Sequence, residues 1–248
     1  MIKEKVKIVV PNSLAEITLG QYQEYLKSID KLDPEKDART INKKLIEHFC
    51  GIEEKMVDKV AYKDVIKVVN VISSAFDKDY ELVQLFKLLD VQMGFIPKLD
   101  DMSLGEYVDA ENFLGDWQNM HRAMAVLYRP VNFRKKERYT IADYSPSDEI
   151  SLLMKEMPLN VVMGCMVFFY RLGMELSQAT LTYIRKTVKT DTTSDLKEAL
   201  EKNGVGINQF MHSLEEMSEN LTKLQNFRYT NVSPSSRLKN KKTISKDK

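Results

Sequence analysis

The sequence predicts a mainly α-helical fold: a helical domain carrying a small N-terminal β-sheet of at least two strands. Three observations predict it. Apolar residues recur at helical spacing through most of the chain, most clearly at 41–50, 63–76, 110–128 and 159–188. Two helix starts carry a capping box, Thr18-Leu19-Gly20-Gln21 and Ser103-Leu104-Gly105-Glu106, in which cap hydroxyl and third-residue side chain satisfy each other's free backbone N–H. Each box follows a short β-like run closed by proline, residues 6–10 before Pro11 and 91–96 before Pro97.

Taken in order, Val6, Ile8 and Val10 alternate as in a strand, and Thr18 then caps a helix whose apolar stripe is Tyr22, Tyr25 and Leu26. Residues 41–50 form a second helix that stops at Gly51, and residues 63–76 a third. Around residue 91 the opening pattern returns, with Ser103-Leu104-Gly105-Glu106-Tyr107 echoing Thr18-Leu19-Gly20-Gln21-Tyr22. The two copies suggest a structural repeat, near 5–30 and 91–115, whose strands 4–10 and 91–96 pair with each other. The second cap opens one long helix through Trp117 and Met124 that ends at Arg129-Pro130. A basic, polar segment, 132–139, follows as a solvated loop or a protein contact, and then a short extended link at 141–146. Helices are expected at 148–156, 159–188, 195–202 and 207–224, with 161–169 at the centre of the core.

Bulk composition excludes several classes. The chain has 248 residues, 43% hydrophobic and 29% charged, too apolar for global disorder, with too few Gly and Pro for a low-complexity protein. Cys50 and Cys165 cannot build a disulfide framework. The first residues mix both charge signs and do not read as a signal peptide. The most apolar run, 159–174, is short of the roughly 20 residues that span a bilayer. A cytoplasmic protein with no membrane contact is expected.

The 37 basic and 36 acidic residues are unevenly placed. Residues 229–248 hold six cations against Asp247, a net +5, which leaves −4 on residues 1–228. The chain therefore reads as a mainly helical body, 1–228, and a basic tail, 229–248, with too little apolar surface to fold by itself.

No motif for catalysis emerges. Phosphate-binding and nucleotide-binding glycine loops and the serine elbow are lacking, and His48, His121 and His212 lie on separate helices without metal-ligand spacing. Pairs such as Glu53-Glu54, Asp100-Asp101 and Glu215-Glu216 read as solvated charge. Met154, Met157, Met163, Met166 and Met174 read first as core filler, second as an adaptable binding surface. The candidate binding residues are cations: Arg129, Arg134, Lys135, Lys136 and Arg138 in the centre, and Arg237, Lys239, Lys241 and Lys242 in the tail. They suit an acidic protein surface, or weaker contact with nucleic acid. No enzyme activity, metal or cofactor is expected.

Three stretches together resemble a known group: 10–22 with its Pro11 and Thr18 cap, Ala125-Val126-Leu127-Tyr128-Arg129-Pro130-Val131 with Tyr139-Thr140-Ile141-Ala142-Asp143-Tyr144, and Met157-Pro158-Leu159 leading to Phe168-Phe169-Tyr170. They are similar to tail-assembly chaperone-like and virion assembly proteins of tailed bacteriophages, particularly crAss-like and other Bacteroidetes phages. The resemblance spans roughly residues 5–185 and brings no catalytic residues. It implies a non-enzymatic phage tail or baseplate assembly protein in the host cytoplasm, acting on tail or neck proteins. The alternative it allows is a structural virion protein whose basic tail orders on a neighbouring subunit or on DNA.

Overall fold

The computed structural model describes residues 9–188, which form eight helices and one four-stranded antiparallel sheet. The helices are α1 (Leu19–Ile29), α2 (Ala38–Cys50), α3 (Glu54–Val57), α4 (Tyr62–Phe76), α5 (Leu104–Leu114), α6 (Met120–Leu127), α7 (Asp148–Leu153) and α8 (Leu159–Val188). The strands are β1 (Leu85–Leu88), β2 (Val91–Phe95), β3 (Tyr128–Lys135) and β4 (Arg138–Ile141), in spatial order β1-β2-β3-β4. The fold is mixed α/β with its sheet mid-chain, between residues 85 and 141, which overturns the expected mainly helical domain with an N-terminal sheet. The expected helices at 195–202 and 207–224, most of the 6–10 strand, and the 229–248 tail lie outside the described residues.

The expected pairing of 4–10 with 91–96 fails because β2 has no free edge. Leu85 pairs with Gly94 on one side, and Arg129 pairs with the same Gly94 on the other. Gly94 is also required sterically: a Cβ there would lie 2.8 Å from Tyr139 Cε2 and 3.0 Å from Val131 Cγ2. Residues 17–19 pair with the start of α8. Leu19 N–H donates to Met157 C=O and Leu159 N–H donates to Ile17 C=O, both at 2.9 Å, forming a bridge between Thr18 and Pro158. The starts of α1 and α8 are thus tied to each other.

Both capping boxes form. Thr18 and Gln21 exchange their bonds at the start of α1, and Ser103 and Glu106 do so at the start of α5. A 3₁₀ turn precedes each, Leu14–Glu16 and Leu99–Asp101. Gly51, at φ 64°, closes α2 in the left-handed conformation that ends helices. The long helix expected across 110–128 is two helices. The chain leaves α5 at Gly115, turns through 116–119, and passes from α6 directly into β3 at Tyr128. The basic segment 132–139, read as a solvated loop, is most of a β3–β4 hairpin.

Two aromatic clusters anchor the interior. Tyr22 packs on Phe49, Phe76 and, edge-on at 5.1 Å, on Trp117, joining α1, α2, α4 and the 116–119 link. Phe95 packs on Tyr128, Phe168 and Phe169, joining the sheet to α8. Residues 161–166 of α8 are buried and 167–170 half-buried, so its first turns are the core expected from sequence. Met154, Met157, Met163 and Met166 are buried, as core filler should be, while Met174 is exposed.

The 116–119 link is held by one polar contact set. Gln23 Nε2 donates to the carbonyls of Trp117 (2.7 Å) and Gln118 (3.2 Å) and lies 3.1 Å from His121 Nδ1. Burial, with the Lys155 and Arg122 charges, pushes the His121 pKa down, and burial does the same to His48. A histidine whose folded pKa is depressed lets the unfolded chain bind protons first. Its contribution is complete above about pH 6.5 and is lost as pH falls below that. The urea midpoint is therefore expected to drop between pH 7.5 and 5.5, and His121→Gln to flatten part of that drop.

Candidate partner-binding surfaces

The central cations separate into two groups. Arg129 follows the last residue of α6 by two positions, and strand geometry turns it inward. Its Nη2 lies 2.7 Å from Glu106 Oε1, with both side chains about nine-tenths buried. Its guanidinium also sits 5.9 Å from the Tyr144 ring centre, and Tyr144 donates its hydroxyl hydrogen bond to Asp109. Glu106 is pushed up by burial. The Ser103 N–H and hydroxyl and the Arg129 charge outweigh that and hold its carboxyl below the usual range. Arg129 therefore joins α5 to β3, largely buried and ion-paired, apart from the exposed cations of the hairpin.

Arg134, Lys135, Lys136 and Arg138 do share a surface. All four are exposed at the tip of the β3–β4 hairpin, where Lys135 pairs with Arg138 across a two-residue turn, Lys136-Glu137. Among the described residues none of the four has a carboxylate partner; Arg134 donates only to the Lys136 carbonyl at 3.2 Å. A bulge at Asn132 shifts the register, so Phe133 pairs with Thr140 and shares a face with Lys135 and Arg138. Phe133 is 62% exposed. Tyr139 lies on the opposite face and donates to Phe95 C=O at 2.8 Å. Arg237, Lys239, Lys241 and Lys242 lie outside the described residues.

A second surface was not expected from sequence. In the first repeat copy Leu19 and Tyr22 are 0% and 1% exposed; their counterparts Leu104 and Tyr107 are 80% and 53% exposed. Val108 extends the patch along one side of α5 at helical spacing. Residues 155–159 cover the start of the first copy, with Lys155 Cβ at 3.2 Å from a Cβ built on Gly20, and Phe49, Phe76 and Trp117 enclose Tyr22. At Gly105 nothing lies within 4 Å. The five-residue motif therefore encodes the cap and not the burial. Leu104, Tyr107 and Val108 thus form an exposed apolar patch on one side of α5.

Between α5, α6 and α7 lies a cleft of about 340 Å³ with Arg122, Arg129, Asp109, Asp143 and Asp148 around an apolar floor. Its charge is mixed and Arg129 is already paired, so it favours neither an anion nor a cation. Burial pushes the Cys50 thiol up to about 11, away from the thiolate that a nucleophile needs. Among the described residues no group of three or more Cys, His, Asp or Glu could hold a metal ion. No helix among them is long and apolar enough to cross a membrane.

No protein-family model matches the chain, and neither a curated protein nor a solved structure is significantly similar to it.

Proposed function

We propose that this chain is a non-enzymatic assembly protein of a tailed bacteriophage that holds tail or baseplate subunits by contact. The sequence resemblance supplies the lineage. The observation that carries the contact mode is the α5 face, where Leu104, Tyr107 and Val108 stand in solvent although the same motif is buried in α1. A chaperone-like protein needs an apolar surface that is stable when free and covered when a subunit is held. The capping box and the buried Glu106–Arg129 pair fix α5 from beneath, so the patch is presented on a rigid helix.

The double variant Leu104→Ser/Tyr107→Ser removes exposed side chains only. Its stability is expected within about 0.5 kcal/mol of wild type, while co-purification of phage subunits from infected cells is lost. Mass spectrometry of purified virions separates the two roles. Absence from mature particles with presence in assembly intermediates supports the chaperone. Stoichiometric copies in virions support the structural protein.

A further inference from the structure

We propose that the β3–β4 hairpin is a second, independent docking edge, which takes up an acidic extended segment of a partner protein as a fifth strand beside β4. This stands on the hairpin alone and does not depend on the α5 face. Strand β4 ends the sheet, and no described strand lies on its outer side. The two-residue turn makes Lys135 and Arg138 the hydrogen-bonded closing pair, so Tyr139 and Ile141 turn their N–H and C=O groups to the open edge. An extended segment placed there finds a main-chain ladder ready to be completed.

The charges specify the occupant. Lys135 and Arg138 stand directly opposite each other, an arrangement of like charges that weakens a strand pair. Arg134 and Lys136 add two more cations, and the only anion at the tip is Glu137. A strand carrying Glu or Asp at alternate positions places carboxylates beside Arg138 and Lys135 on the Phe133 face and relieves that repulsion. Single-stranded nucleic acid fits less well. Stacking platforms use successive aromatic rings; here Phe133 is exposed, but Tyr139 is turned onto the sheet and bonded to Phe95 C=O. A nucleic acid strand also makes no use of the β4 edge.

The test titrates the full chain against fluorescein-labelled acetyl-(Glu-Val)₄ and, separately, labelled dT12, at 50 and 300 mM NaCl. Amide exchange is followed at Tyr139 and Ile141. The expected result is peptide binding that weakens with salt, slows exchange at both amides, and falls about tenfold or more in Lys135→Glu/Arg138→Glu. Both positions are exposed, so an unchanged melting temperature verifies that this variant folds. Three results would overturn the proposal. One is tighter binding of dT12 than of peptide. Another is peptide binding indifferent to the charge reversal or without protection at β4. The third is no binding of either probe, which makes the cations a guard against edge-to-edge aggregation.

Discussion

Gly164→Ala is expected to lower stability by about 3 kcal/mol or more, although alanine is the better helix former. A Cβ on Gly164 would lie 2.0 Å from the Glu81 carbonyl oxygen and 2.8 Å from its carbon. The obstacle is backbone, which cannot swing aside as a side-chain tip can. The segment is also tied on its far side: Val83 C=O accepts from the Tyr128 hydroxyl and Gln84 C=O accepts from Phe95 N–H. Moving Glu81 away from α8 strains the attachment of β1 to the rest of the sheet. Gly105→Ala is the control, since nothing lies within 4 Å there and the helix gains up to about 1 kcal/mol. Urea unfolding of the two variants should shift in opposite directions. A neutral or stabilising Gly164→Ala would contradict the packing of residues 81–84 on α8.

Arg129→Met carries the second large effect, a loss of about 3–5 kcal/mol at pH 7, because it leaves Glu106 ionised and buried without its cation. With side chains only 11% and 8% exposed, solvent does little to compensate. The one strong bond left to that carboxylate is the Ser103 N–H at 2.6 Å. Adding Glu106→Gln to Arg129→Met should recover much of the loss, since the amide keeps the capping bond and removes the charge. The depressed carboxyl gives a pH signature. Its stabilising contribution in wild type is complete above about pH 4.5 and is lost as pH falls through its folded value. The gap between wild type and Arg129→Met should therefore narrow in acid. Equal gaps at pH 7 and pH 3.5 would show that the pair is not what joins α5 to β3.

These two sites mark where sequence reasoning reaches and where it stops. Helix starts and ends were legible when local chemistry specified them. The two capping boxes, the Gly51 stop and the 159–188 span all depend on residues within a few positions of each other. The sheet was not legible, because strand pairing is non-local and its turns lack the usual signals. Leu89 at φ 52° and Lys136 at φ 56° occupy positions where Gly or Asn would announce a hairpin. The apolar spacing of 110–128 also ran straight through the 116–119 link, since Trp117 and Met120 are both buried despite the break.

Of the candidate contact residues, four cations were brought together at one hairpin tip, and Arg129 was withdrawn into the core. No local feature says that Arg129 meets a carboxylate from an earlier helix. The α5 patch was hidden for a related reason. The Leu-Gly-x-Tyr pattern of the capping unit is the same in both copies, and only tertiary packing, by residues 155–159 at its start and by Phe49, Phe76 and Trp117 around Tyr22, separates the covered one from the open one.

Photo-crosslinking in infected cells tests whether the open copy is where a phage subunit is held. Benzoylphenylalanine replaces Tyr107 in one strain and the exposed Lys87 of β1 in another. Position 107 is expected to capture a tail or baseplate protein identified by mass spectrometry, position 87 is not, and Leu104→Ser is expected to abolish the capture. Equal capture at both positions, or capture at 107 that survives Leu104→Ser, would contradict it.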